Sequence, residues 1–173
     1  MGNSFFTLIL SAVFFSGSFA VGQVQALQLS SPDFAPGQAI PPKYARGNGN
    51  VAPELHISGV PTAAKSMALL VEDPDAPSGL FIHWVVWNLP ADTTTIPKGT
   101  LPVGAKQGKN SSGENRYDGP SPPSGTHRYF FRLFALDTIL DLPGDTDRTG
   151  LLMAMAGHVL AKADVMGTYS AGR

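Results

Sequence analysis

The chain contains no cysteine, which excludes a disulfide framework, a thiol nucleophile and any thiolate metal site. Charge is scarce as well: Asp, Glu, Lys and Arg make up 14% of 173 residues and leave a net charge of −1. No basic block occurs, so nucleic acid is not an expected partner. Gly-x-Ser-x-Gly, the nucleophile elbow of hydrolases, is absent. So are GxxxxGK[ST] and GxGxxG, and with them the cofactors those loops hold. No H-x-x-x-H or H-x-x-E spacing marks a metal site. No cofactor and no resident metal is expected, and the chain reads as a non-enzyme.

What is present in excess is Gly (19) and Pro (15), without any repeat. That pattern excludes collagen-like and low-complexity chains and predicts many turns between short strands. Hydrophobic residues at 43% suffice for a packed core. The N-terminus reads MGNSFFTLILSAVFFSGSFAVGQVQA, with an apolar run from Phe5 to Phe15. It is too short for a membrane span and has the h-region character of a secretory signal. Small-residue cleavage sites follow at Ser18-Phe19-Ala20 and Val24-Gln25-Ala26. The second is preferred, because alternation begins at Leu27. The expected organisation is therefore a signal peptide over 1–26 and one domain over 27–173. The mature product would be periplasmic or secreted and not an integral membrane protein.

Within that domain, Leu27 to Ser30 and Glu54 to Ser58 alternate as short strands. Ser66 to Val71 (SMALLV), Phe81 to Leu89 (FIHWVVWNL) and Tyr129 to Leu136 (YFFRLFAL) are continuous apolar runs. They predict strands buried on both faces, inside a sheet. In the second run alternation puts Ile82, Trp84, Val86 and Asn88 on one face and His83, Val85, Trp87 and Leu89 on the other. Residues 104–128 form a long Gly, Ser and Pro loop. Thr149 to Ala163 has amphipathic helical spacing, with Asp147 or Thr149 as cap. Strands first and one helix near the end predict a mainly β or α+β sandwich.

The chemistry concentrates in EDPDAPSGLFIHW, Glu72 to Trp84. It holds three of the chain's 13 acidic residues, two prolines and His83 at a strand start. A stiff turn carrying Asp73 beside His83 can orient the imidazole, one ring nitrogen toward the carboxylate and the other toward a ligand. His127, after a Pro-rich loop and before another buried strand, repeats the arrangement. A pocket of Asp73, His83 and His127, completed by backbone N–H groups of the Gly119–Gly125 loop, suits an oxyanion such as phosphate. The plainer reading is a structural turn with two packed histidines. A third is a facial metal site of two histidines and a carboxylate. Trp84 and Trp87 read as core or cavity wall, His158 as structural, and Arg132 as an edge residue or the partner of an Asp.

MALLVEDPDAP, HWVVWNLP, the GKNSSG loop, RYDGPSPPSGTHRYFFRLFALD and GHVLAKADVMGTY together resemble the phosphatidylethanolamine-binding protein family. The nearest branch is the bacterial YbhB/YbcL Raf kinase inhibitor-like group, and the resemblance runs from about Leu27 to Tyr169. It implies a β-sandwich with flanking helices around a small anion pocket. By motif, the resemblance assigns Asp73, Pro77, His83, Gly119, His127 and Tyr129 to that pocket. The implied ligand is a small anion: phosphate, a phospho head group or a carboxylate. Two other functions stay open: an inhibitor or modulator of a partner protein such as a kinase or protease, and a metal- or His/Asp-dependent enzyme.

Overall fold

The computed structural model describes Met1 and residues 25–172. The h-region and the Ser18-Phe19-Ala20 site lie outside the described residues. Among the described residues, eight strands and one α-helix follow in chain order: β1 (Gln28–Ser30), β2 (Leu55–Ser58), β3 (Ser66–Asp73), β4 (Phe81–Pro90), β5 (Thr95–Ile96), β6 (Lys106–Gln107), β7 (Thr126–Leu136), α1 (Arg148–Met155) and β8 (Val159–Ser170). They form a three-stranded sheet, β1-β2-β5, and a five-stranded sheet, β6-β4-β3-β7-β8. All named strand pairs are antiparallel.

The three apolar runs become β3, β4 and β7, the centre of the large sheet. β3 is buried at every residue because both faces of the sheet are covered. One face packs against the small sheet through Met67, Leu69, Val71, Phe131 and Leu133, with Leu29, Leu55 and Ile57 opposite. The other carries Ala68, Leu70, Val85, Trp87 and Phe134, covered by Leu151 and Met155 of α1. The result is mainly β with one short C-terminal helix, as expected from the order of elements.

Two expectations are corrected. The helix does not reach Ala163: it is capped by Asp147, whose side chain accepts from the Gly150 N–H at 2.9 Å, and runs only from Arg148 to Met155. Ala156 is extended and Gly157 has φ 82°, a left-handed turn that β8 then leaves as the edge partner of β7. Second, the simple alternation along β4 fails. The register passes from Val71↔Trp84 to Glu72↔Ile82, so His83 is an extra residue in a β-bulge. Ile82 consequently joins Val85 and Trp87 on the helix side, and His83 turns toward Asp73 and Tyr129. A second shift near Asn88, at φ 55°, moves Leu89 to the face of Trp84 and Val86.

Candidate functional site

At the ends of β3, β4 and β7 nearest the Asp73–Phe81 turn lies a cavity of roughly 180 Å³. Asp73, Pro77, His83, Gly119, His127 and Tyr129 all line it, with Arg46 and Ser121 among the other wall residues. The sheet accounts for the convergence. Glu72 pairs with Phe130 across β3 and β7, so Asp73 falls beside Tyr129, and His127 lies two residues along on the same face. The β4 bulge adds His83 from the opposite side.

The turn is built differently from its sequence-based reading. Asp73 does not orient His83. Its Oδ2 accepts from His127 Nδ1 at 2.7 Å, and its Oδ1 accepts from the Asp75 N–H at 2.8 Å, closing the turn. Asp75 accepts from the backbone N–H, Nε and Nη2 of Arg128, at 2.9, 2.9 and 2.7 Å. Those bonds hold the Asp75 carboxyl down at about 2. The first carboxylate therefore aims His127, and the second fastens the turn to β7.

His83 is held by Asp118 instead. Its Nδ1 lies 2.5 Å from the Asp118 carbonyl, and the Asp118 N–H returns a bond to the His83 carbonyl at 2.9 Å. A carbonyl only accepts, so Nδ1 carries the proton. Nε2 is buried without a hydrogen-bond partner, on a side chain that lines the cavity. Burial, opposed by the charge of Asp73 and reinforced by Arg46 and His127, lowers the His83 pKa to about 4. The ring is neutral near pH 7, with Nε2 as an acceptor. The His83 ring also meets Tyr129 edge-on at 5.1 Å and Phe81 at 4.8 Å between centroids.

Tyr129 keeps its proton: burial first, then the negative charge of Asp73, pushes its pKa well above the ordinary tyrosine value. Its hydroxyl lies beside Asp73 and the Ser121 backbone N–H, without a hydrogen bond of good geometry to either. Gly119 lines the cavity but does not offer its N–H, which donates to Asn50 Oδ1 at 2.6 Å. Its lack of a side chain serves packing, since a Cβ there would lie 2.2 Å from the Tyr44 carbonyl oxygen.

Sequence reasoning missed Asp118 and Arg46. Arg46 Nε donates to Asp118 Oδ1 at 2.6 Å, its Nη2 pairs with Oδ2, and Ser112 Oγ donates to Oδ2 at 2.7 Å. The Asp118 carboxylate is thus satisfied while its carbonyl sets the His83 tautomer. The available signal was the placement of Asp118 directly before Gly119, next to the Gly119–Gly125 loop expected to complete the pocket. Arg132 pairs with Glu72 at 2.9 Å rather than with an Asp, on the helix-side face, where Arg148 meets the same carboxylate at 2.5 Å. His158 sits in the turn before β8, its Nδ1 2.8 Å from Asp137 Oδ1. Among the described residues, no group of three His, Asp or Glu side chains could hold a metal ion. No helix among them is long and apolar enough to cross a membrane.

The family model described as phosphatidylethanolamine-binding protein matches residues 30–170. The chain belongs to that family. A UPF0098 protein of Methanothermobacter thermautotrophicus is 49% identical over 77% of this chain and 91% of its own length. Another from Chlamydia pneumoniae is 46% identical over 83% of this chain and 98% of its own. The crystal structure of a putative family homolog from Chlamydia trachomatis superposes with TM-score 0.81 at 43% identity, covering 84% of this chain and 97% of that one. E. coli YbcL, described as a new member of the mammalian family, gives TM-score 0.79 at 30% identity over 84% and 99%. Family membership and fold thus agree with the resemblance carried by the DPDAP and GPSPPSGTHRY motifs.

Proposed function

We propose that this family member is an exported, non-enzymatic binding protein whose cavity takes a small phosphate-bearing anion. The observation that carries the reading is the convergence of His83, His127 and the protonated Tyr129 hydroxyl on one small cavity. Arg46 stands in its wall. An oxyanion requires hydrogen-bond donors in such a partly desolvated site, and His127 and Tyr129 are the candidates here, since His83 Nε2 is an acceptor. The family's name refers to a phosphate-bearing lipid and supports a phosphate group as ligand without fixing its ester class. Catalysis has less support. Both Nδ1 atoms are spent on Asp73 and the Asp118 carbonyl, and His83 Nε2 has no hydroxyl within hydrogen-bond reach to activate. Export rests on the Phe5–Phe15 run and the Val24-Gln25-Ala26 site.

Calorimetric titration of the protein with inorganic phosphate tests the ligand class. Saturable binding is expected in the wild type, with loss in His127→Ala. Failure of phosphate and of simple phosphomonoesters to bind at any pH from 5 to 8 overturns the reading. N-terminal sequencing of protein from the extracytoplasmic fraction should begin at Leu27, and intact Met1 in a cytosolic fraction would refute export.

A further inference from the structure

The geometry points to a ligand that brings its own proton: a phosphomonoester bound as its monoanion, whose P–O–H donates to His83 Nε2. The inference rests on the phosphate-binding reading above and narrows it to one ionisation state and one ester class. The Asp118 carbonyl fixes the proton on Nδ1, so Nε2, on a ring that lines the cavity, carries a lone pair with no hydrogen-bond partner. His83 is only 5% exposed, and a buried acceptor left without a partner is costly, which favours a ligand that brings a donor to it. An oxyanion without hydrogen would instead set its own lone pairs against that of Nε2.

The remaining phosphate oxygens then face donors. Tyr129 supplies an O–H, and His127, anchored to Asp73 through Nδ1, supplies the second imidazole. The charged and titratable groups around His83 are Asp73, Arg46, His127, Tyr129 and Asp118. Arg46 and His127 act against a proton on the ring, and Asp73 acts for it. Arg46 is already bound to the Asp118 carboxylate, which leaves the ligand's proton as the means of satisfying Nε2. A site built around a hydrogen bond rejects an analogue lacking the donor far more strongly than it senses small differences in shape. Phosphodiesters and sulfate esters lack that hydrogen.

Three small anions separate the cases: methyl phosphate, methyl sulfate and dimethyl phosphate, titrated calorimetrically against the purified protein. At pH 5.5 each carries about one negative charge, and only methyl phosphate carries P–O–H, since a phosphomonoester loses its second proton near pH 6. Methyl phosphate is expected to bind at least roughly tenfold more tightly than either analogue. Above pH 6 its affinity should fall toward about tenfold per pH unit as the dianion replaces the monoanion. Nitrogen NMR of the complex should show His83 Nε2 still without its own proton. Smaller discrimination, or affinity that rises with the dianion, overturns the proton-donor inference while leaving anion binding standing. If none of the three anions binds, the proposed function falls with it.

Discussion

Asp73 Oδ2 sits 2.7 Å from His127 Nδ1, and both side chains are almost fully buried. The pair has a cost and a use. Its desolvation is offset only while both partners are present, so removing either leaves the other unsatisfied. Its use is to fix the direction of His127 Nε2. Asp73→Asn keeps the shape and can still accept from the Asp75 N–H, but it loses the charge. We expect it to destabilise the domain by about 1–3 kcal/mol and to weaken phosphate binding. His127→Ala should likewise cost measurable stability, because it strands a buried carboxylate. In a double-mutant cycle measured by chemical denaturation, a coupling near zero between Asp73→Asn and His127→Gln would contradict the pairing.

His83 makes stability depend on pH. Its pKa is about 4 in the fold against 6.5 for the free side chain. The unfolded chain therefore binds the proton more readily, and acid favours unfolding. The contribution is fully present above pH 6.5 and is lost as pH falls toward 4. Over the whole window it amounts to about 3 kcal/mol. His83→Phe should lose this part of the acid slope. Denaturation midpoints of the two proteins at intervals from pH 7 to pH 4 check it, and parallel profiles would mean that the ring titrates normally.

Gly119→Ala should damage the fold and not only the cavity. An added Cβ would meet the Tyr44 carbonyl oxygen at 2.2 Å and the Ala45 carbonyl carbon at 2.8 Å, backbone atoms that cannot swing aside. We expect a loss of about 1–3 kcal/mol from this overpacking. Gly125→Ala, with open space around its Cβ but φ 65°, should lose less. Thermal melts of the two variants decide the order.

The central strands and the prolyl turn were legible because their signals are local. Apolar runs of strand length between turn residues admit few other readings, and β3, β4 and β7 appear where those runs predict them. What was lost depends on pairing. The bulge at His83 is set by register against β3, which no alternation count along β4 can reveal. The start of β8, up to Ala163, was read as helix because apolar residues at 152, 155, 156, 159, 160 and 163 satisfy a helical spacing. Val159, Ala161, Ala163 and Val165 also satisfy a period of two, and pairing with β7 favours the strand. In the site, motif residues were found together, but their partners were not: Asp118 acts through a backbone carbonyl, which no side-chain pattern reports.

Arg46 provides the last test, because its effect on the cavity passes through another residue. It holds the Asp118 carboxylate, which is 1% exposed, and its positive charge helps keep His83 unprotonated. In Arg46→Gln two changes act in one direction: a cation is removed from near His83, and the Asp118 charge loses its compensation. Both favour the imidazolium, so the His83 pKa should rise above about 4. The buried Asp118 keeps its Ser112 bond but loses its ion pair, a change that costs up to about 3–5 kcal/mol when nothing replaces the partner. The position of the His83 Cε1–H resonance against pH follows the titration directly. An upward shift of the midpoint, with weaker discrimination of methyl phosphate from methyl sulfate, is expected, because a protonated Nε2 no longer asks the ligand for a hydrogen. An unchanged midpoint would show that Arg46 serves only to anchor the loop.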